Sequence, residues 1–184
     1  MSTCLLLIDV QNDYFKGGKN ELYKPEQALE NIKQVLAVYR NKQLPIIHIQ
    51  HINTSTNATF FNPNTFGVEI HKSVEPVENE YMIIKHRPNS FYKTDLYKTI
   101  EKLGVTEIVI CGMMTHMCVD TTVRACKDYE LFVTLLSDAC ATKSLRYHDL
   151  EIQANIVQQT YMASLNGMFA NVVKTKDYLE NLTR

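Results

Sequence analysis

Phosphate-cradling motifs are missing from this sequence. Only 6 glycines occur in 184 residues, and neither G-x-G-x-x-G nor G-x-x-x-x-G-K-[ST] is present. The glycine turns that let backbone amides approach a phosphate are therefore lacking, and Gly17-Gly18 is too short to replace them. Basic runs are absent as well. With a formal net charge of -1, neither nucleic acid nor an acidic membrane surface is an expected partner. Apolar runs stay as short as LLLI and IVI, far below the roughly 20 residues that span a bilayer. The N-terminus has no basic stretch ahead of a long apolar core, so no export signal is expected. The five cysteines, Cys4, Cys111, Cys118, Cys126 and Cys140, are an odd number and do not resemble a disulfide framework. The reducing cytoplasm is the expected compartment. There, most of these thiols would serve as small buried hydrophobes.

What is present is a balanced globular composition, 45% hydrophobic and 21% charged, without repeats, low-complexity stretches or linkers. Its length suits one domain over residues 1–184. Short apolar runs alternate with amphipathic stretches. Strands are expected at Cys4–Ile8, Pro45–Ile49, Tyr81–Ile84, Glu107–Ile110, Leu131–Leu136 and Ala170–Val173. Pro25 opens a helix, as proline does at a first turn, and Ala28, Leu29, Ile32, Val35, Leu36 and Tyr39 fall on one face of it. A second helix runs from Leu96 to Leu103 and stops at Gly104. A third starts within CGMMTHMCVD, with Cys118, Val119, Thr122, Val123 and Cys126 on one stripe, and a fourth surrounds Leu150, Ala154, Val157 and Tyr161. Nearly continuous apolar strands separated by helices imply a parallel sheet covered on both faces, an α/β doubly wound sandwich.

Sites in such sheets form at the carboxyl ends of strands. Asp9 follows LLLI, Lys85 follows YMII, and Cys118 lies shortly after EIVICG, so a carboxylate, an ammonium and a thiol converge on one sheet edge. A helix start and a nearby cation are expected to lower the thiol pKa, and the carboxylate can take its proton. Each residue also has a plain structural reading. Asp9 can hydrogen-bond the turn Val10-Gln11-Asn12, Lys85 can be an exposed lysine, and Cys118 can be a core residue. Cys111 ends a strand and is expected to pack, as are Cys4, Cys126 and Cys140. His48 and His51 are three apart at a strand end and would face opposite sides. No carboxylate lies between or beside them, so no metal site is expected. His116, two residues before Cys118, would line a pocket, face solvent or meet another subunit. His148 is expected at a helix N-terminus.

The stretches LLLIDVQNDYF with Gly17-Gly18, IIKHRPNSFYKTDL, VICGMMTHMCVDTTVRAC and SDACAT resemble the isochorismatase-like family of cysteine hydrolases over nearly the whole chain. The third is the most specific, through Gly112, Thr115, Cys118 and Val119. The resemblance implies a three-layer α/β/α sandwich with a six-stranded, mostly parallel sheet. It also implies a catalytic triad of Asp9, Lys85 and Cys118, a cis peptide joining Met113 to Met114, and an oxyanion hole made by the backbone N–H groups of Met114 and Cys118. True isochorismatases cleave a vinyl ether without needing this cysteine, so its presence favours carbonyl chemistry. Nicotinamidases of the family carry a metal-binding Asp-x-His segment. Here that region reads HIQHINTSTNATFFNPNTFG, without the aspartate, so a cofactor-free and metal-independent relative is expected. The implied activity is hydrolysis of a small amide or related C–N bond through a thioester on Cys118. The alternatives are a metal-dependent nicotinamidase, a non-catalytic small-molecule binder on the same fold, and a redox thiol protein. Gln11, Phe15, Phe60, Phe66, Phe91 and His116 are the expected pocket residues. The expected partners are a small-molecule substrate and further copies of the chain, since family members form dimers or larger assemblies.

Overall fold

The alternation in the sequence becomes a wound sheet. A computed structural model describes residues 2–182. Its elements in chain order are β1 (Thr3–Ile8), α1 (Pro25–Asn41), β2 (Ile46–His51), β3 (Tyr81–Lys85), α2 (Leu96–Leu103), β4 (Glu107–Met113), α3 (Asp120–Asp128), β5 (Phe132–Ala141), β6 (Leu145–Tyr147), β7 (Leu150–Ile152), α4 (Ala154–Leu165), β8 (Asn171–Val173) and α5 (Thr175–Leu182). Six strands form one sheet in the order β3-β2-β1-β4-β5-β8, and every neighbouring pair is parallel. The chain winds from β1 out to β3, then returns to lay β4 on the other side of β1. The winding thus reverses between β1 and β4, which opens a crevice at their carboxyl ends.

Helices cover both faces, giving the three-layer α/β/α sandwich. On one face Leu5 and Leu7 of β1 meet the buried stripe of α1, with Tyr178, Leu179 and Leu182 of α5 packed alongside. On the other, Cys4, Leu6 and Ile8 meet Leu96 and Ile100 of α2, Val123 and Cys126 of α3, and Met162 and Leu165 of α4. Burying such a side chain is worth about 1.5–3 kcal/mol, so α1 and the central strands hold the frame. The whole expected α1 stripe is buried, from Ala28 to Tyr39. Gly104 ends α2 in the left-handed conformation at φ 63°, which a side chain would disfavour. No helix among the described residues is long and apolar enough to cross a membrane.

The structure corrects three boundaries. β2 continues to His51, β4 to Met113 and β5 to Ala141. β5 runs on through two polar residues because both are bonded. Ser137 donates to Val173 O at 3.1 Å, and Asp138 Oδ1 accepts the Thr175 N–H and hydroxyl at 2.8 and 2.7 Å. The helix expected around Leu150 starts only at Ala154. Leu150 instead pairs with Tyr147 in a small antiparallel hairpin. His148 lies at the turn of that hairpin with a positive φ of 51°, so it is not a helix residue. The chain closes with a further helix, α5, which the strand and helix pattern expected from the sequence does not include.

One buried carboxylate organises the loops above the strand ends. Asp13 Oδ1 accepts the Lys19 N–H at 3.1 Å and Oδ2 accepts the Phe61 N–H at 2.7 Å. Gly67 packs so close to the same carboxylate that a Cβ there would lie 2.1 Å from Oδ1. The loop after β1 and the loop between β2 and β3 are thus both fastened to a single side chain.

Candidate active site

Four adjacent strands deliver one cluster. Asp9 follows β1 in the left-handed conformation, φ 50°, which is uncommon for a residue other than glycine. Its N–H donates to Ile49 O at 3.1 Å, and the Gln11 N–H returns to Asp9 O at 2.9 Å. Next to β1, Gly112 of β4 stands in register with Ile8. At φ 128° a Cβ on Gly112 would lie 2.1 Å from Ile8 O, so only glycine lets the two backbones come this close. The chain leaving β4 is thereby brought against Asp9. The Met113–Met114 peptide is cis. Thr115–Val119 then forms a single π-helical turn, in which the Val119 N–H donates to Met114 O at 3.2 Å. Cys118 sits in that turn, just before α3. The Thr115 hydroxyl pins the turn by donating to Gln158 Oε1 of α4 at 2.6 Å.

Lys85 ends the edge strand β3. Along this strand Met82 and Ile84 are exposed, whereas Lys85 is completely buried. Its Nζ lies 2.9 Å from Asp9 Oδ2 and donates to Pro88 O at 2.9 Å. His51, opposite Lys85 in the β2–β3 register, places Nδ1 3.8 Å from Cys118 Sγ and 3.8 Å from Asp9 Oδ2. The donor atoms of Asp9, His51 and Cys118 all lie within 4.8 Å of one another. The plain structural readings of Asp9 and Lys85 fail. Neither Asp9 oxygen makes an aligned hydrogen bond to the turn that follows, and Lys85 is not exposed. Cys118, 3% exposed, is both a core residue and a member of the cluster.

Charge in the cluster is tightly paired. Burial alone would raise the Asp9 pKa, but the Lys85 ammonium, followed by His51, outweighs it and holds the carboxyl below its usual range. Burial would lower Lys85, but the Asp9 carboxylate, followed by Cys118, keeps it above its ordinary value. The resting state is therefore a buried carboxylate–ammonium pair. Burial first, then the Asp9 charge, pushes the Cys118 thiol up, and Lys85 only partly opposes them. The lowered thiol pKa expected from the helix start and the cation is thus corrected, because desolvation of a 3%-exposed sulfur prevails. The thiol is neutral at rest beside a carboxylate paired with the Lys85 ammonium.

The Asp9, His51 and Cys118 donors have the spacing of a three-ligand metal site, but they do not fit a cation. The Lys85 ammonium stands 2.9 Å from the same carboxylate, fully buried, and already supplies the positive charge. His48, on the opposite face of β2, is not part of the cluster. Its Nε2 meets Glu80 Oε2 at 2.8 Å, and Arg40 of α1 holds the other Glu80 oxygen at 2.7 Å.

The structure scatters the expected pocket residues. Gln11 is buried with its amide turned to the backbone. It donates to His51 O and Val68 O at 2.9 and 2.6 Å and accepts the His51 N–H at 2.8 Å. Phe15 packs on His71 at 4.5 Å. Phe60 lies on Tyr14 and Phe61, and Phe61 reaches the His51 ring at 5.8 Å. Phe66 is 75% exposed. Phe91 stacks on Tyr129, past the far end of α3 from Cys118. The His116 ring meets the Thr142 hydroxyl and Tyr161. Sequence reasoning missed His51, Phe61 and Tyr14, a phenol whose pKa is raised first by burial and also by the nearby acidic groups, Asp9 among them. Extending the β2 alternation by two residues places His51 on the same sheet face as Ile47 and Ile49, which is the signal that was available.

Comparison with known proteins agrees with this frame. The family model for the isochorismatase domain matches residues 3–177. The uncharacterized isochorismatase family protein YddQ of Bacillus subtilis is 47% identical over 98% of this chain and 100% of its own length. The crystal structure of an isochorismatase from Pseudomonas putida, 36% identical, superposes with a TM-score of 0.90 over 96% of this chain and 89% of that one. A streptothricin hydrolase of Streptomyces noursei is 31% identical over 75% of this chain and 49% of that enzyme. With its wound parallel sheet and buried Asp–Lys pair beside a cysteine, the chain belongs to the isochorismatase family of hydrolases.

Proposed function

We propose that this protein hydrolyses a small amide or related C–N bond through a thioester on Cys118. The observation that carries the reading is the buried Asp9 carboxylate, 2.9 Å from Lys85 Nζ, beside the Cys118 thiol, with the Asp9 and Cys118 donor atoms within 4.8 Å of one another. Asp9 takes the Cys118 proton as sulfur attacks the carbonyl carbon. The N–H groups of Met114 and Cys118 hold the oxyanion, a contribution of about 3 kcal/mol per donor. Asp9 then gives the proton to the departing amine, the C–N bond breaks, and the acyl group remains on sulfur. Water hydrolyses the thioester and restores the thiol. Lys85 is a positioning residue that keeps Asp9 ionised and oriented. Phe60 and Phe61 supply an apolar wall near His51. The streptothricin hydrolase relative supports a small-molecule substrate.

An amide library incubated with the protein and followed by intact mass spectrometry tests this. Turnover or an acyl adduct is expected for the wild type and neither for Cys118→Ala. Hydrolysis by Cys118→Ala at the wild-type rate would refute the covalent route. We also propose a homo-oligomer, supported by the apolar Met82 and Ile84 exposed on edge strand β3. Sedimentation velocity should give a dimer or larger species, and a monomer at micromolar concentration would refute it.

A further inference from the structure

We infer that His51 is a second acid–base group of the site, taking the proton of the water that hydrolyses the Cys118 thioester. The inference rests on the covalent reading above and divides its two half-reactions between two groups. Its basis is the placement of the ring. Nδ1 points inward, 3.8 Å from both Cys118 Sγ and Asp9 Oδ2. The His51 side chain is 13% exposed, whereas those of Asp9 and Lys85 are not exposed at all. Nε2 hydrogen-bonds no described residue and is not among the buried unpartnered atoms. The imidazole thus runs from the sulfur to solvent, the side from which a hydrolytic water must come.

The ring is also held rather than loose. The Gln11 amide grips the His51 backbone on both sides, at 2.8 and 2.9 Å, and Phe61, itself fixed by Asp13, packs against the ring. A buried glutamine whose donors and acceptor all serve backbone groups is a device for placing the residue between them. The charged and titratable groups facing the imidazole are Asp9 from the end of β1, Lys85 from β3 and Cys118 from the π-turn. Of the groups there, the Asp9 carboxylate is already engaged by the Lys85 ammonium at 2.9 Å, which leaves the imidazole as the group placed to accept a water proton.

The chemistry balances. With the acyl group on sulfur, Nδ1 takes a proton from water as the water oxygen bonds to the thioester carbon. The tetrahedral intermediate collapses, the C–S bond breaks, and the sulfur leaves with the proton returned by the imidazolium. The products are the free acid and the Cys118 thiol, and His51 is neutral again. At 3.8 Å, Nδ1 is within hydrogen-bond reach of Sγ, so the imidazolium can return the proton to the departing sulfur.

The test uses p-nitrophenyl acetate with the full chain. Stopped-flow nitrophenol release reads acylation, the steady state reads deacylation, and intact mass reads acetyl on Cys118. In His51→Gln the acylation rate should change by less than about threefold, while deacylation falls by roughly 100-fold and the acetyl adduct accumulates, the size expected for loss of a general base. In His51→Ala, added imidazole should restore deacylation, which a purely structural role would not allow. If the acetyl group forms on Cys118 but His51→Gln releases it at the wild-type rate, the inference is overturned and the covalent reading stands. If both phases fall together without imidazole rescue, the ring serves packing or thiol activation, and the inference again fails. If acetyl reaches Cys118 in no variant, the thioester itself is wrong and both readings fall.

Discussion

Replacing Lys85 by methionine keeps the length of the side chain and removes the ammonium 2.9 Å from Asp9. At that separation the gross attraction is about 6 kcal/mol for an effective dielectric of about 20, set against several kcal/mol for desolvating each ion. The pair as a whole therefore adds little, but breaking it on one side leaves a buried carboxylate without compensation. The expected loss for Lys85→Met is about 3–5 kcal/mol, which for a chain of this size lowers Tm by roughly 6–20 °C at 2–4 °C per kcal/mol. Asp9 without Lys85 loses the largest influence that holds its pKa down, so it binds a proton more readily and ceases to act as a base. The double variant Asp9→Asn with Lys85→Met removes the stranded charge and should recover most of the lost stability, while remaining inactive. Urea melts of the four proteins in this cycle give the coupling directly. A Lys85→Met protein within about 1 kcal/mol of wild type, or a double variant no more stable than Lys85→Met, would refute the account of a tightly paired buried charge.

Gly112→Ala should destabilise the protein by about 3 kcal/mol or more, combining overpacking with a disfavoured positive φ. Its Cβ would meet Ile8 O at 2.1 Å, so β1 and β4 must separate, and turnover should fall further than the loss of folded protein explains. Thermal melts and specific activity measured together check this. Glu80, held at about 2 by its Arg40 and His48 hydrogen bonds against the effect of burial, contributes stability above the ordinary glutamate range that is lost as pH falls toward 2. His48, lowered chiefly by burial, adds an acid lability of its own that sets in earlier, as pH falls through the ordinary histidine range. Glu80→Gln should thus be less stable than wild type at neutral pH, and the gap should close in acid melts. Because Lys85 and His51 outweigh burial and lower the Asp9 pKa, its base form persists on the acid side. The acylation rate should therefore hold below about pH 4, where an ordinary carboxylate begins to protonate. An acid limb at the ordinary carboxylate position would contradict that.

The frame was legible because long amphipathic and apolar runs carry their own periodicity. α1 announced itself by a proline at its first turn and an unbroken stripe, and α2 by its terminal glycine. Strand ends were harder to place. β5 passes through Ser137 and Asp138, whose polarity reads as a loop until their partners in β8 and α5 are known. The hairpin at Leu145–Ile152 has three-residue strands, too short for alternation to tell from a helix start. Asp9, Lys85 and Cys118 stood out since each follows an apolar strand. His51 does not: the sequence places it on the face of β2 opposite His48, but it gives no local sign that this face carries the site. The surroundings of the loop aromatics are hard to read from sequence for a different reason. Aromatic residues on loops are sorted between core and surface by contacts with distant segments, as when Phe91 finds Tyr129, and nothing local in the chain encodes that choice.

Asp13 bears on how such a protein can be altered. Its two oxygens hold the Lys19 and Phe61 amides, and Gly67 leaves no room on the third side. The loops over the strand ends are therefore not interchangeable modules. A graft that brings in a foreign segment between β2 and β3 also inherits, or breaks, the anchor of the segment after β1. Selectivity in this scaffold should change through joint substitutions spread across both loops, and single-loop chimeras should fold with the untouched loop displaced.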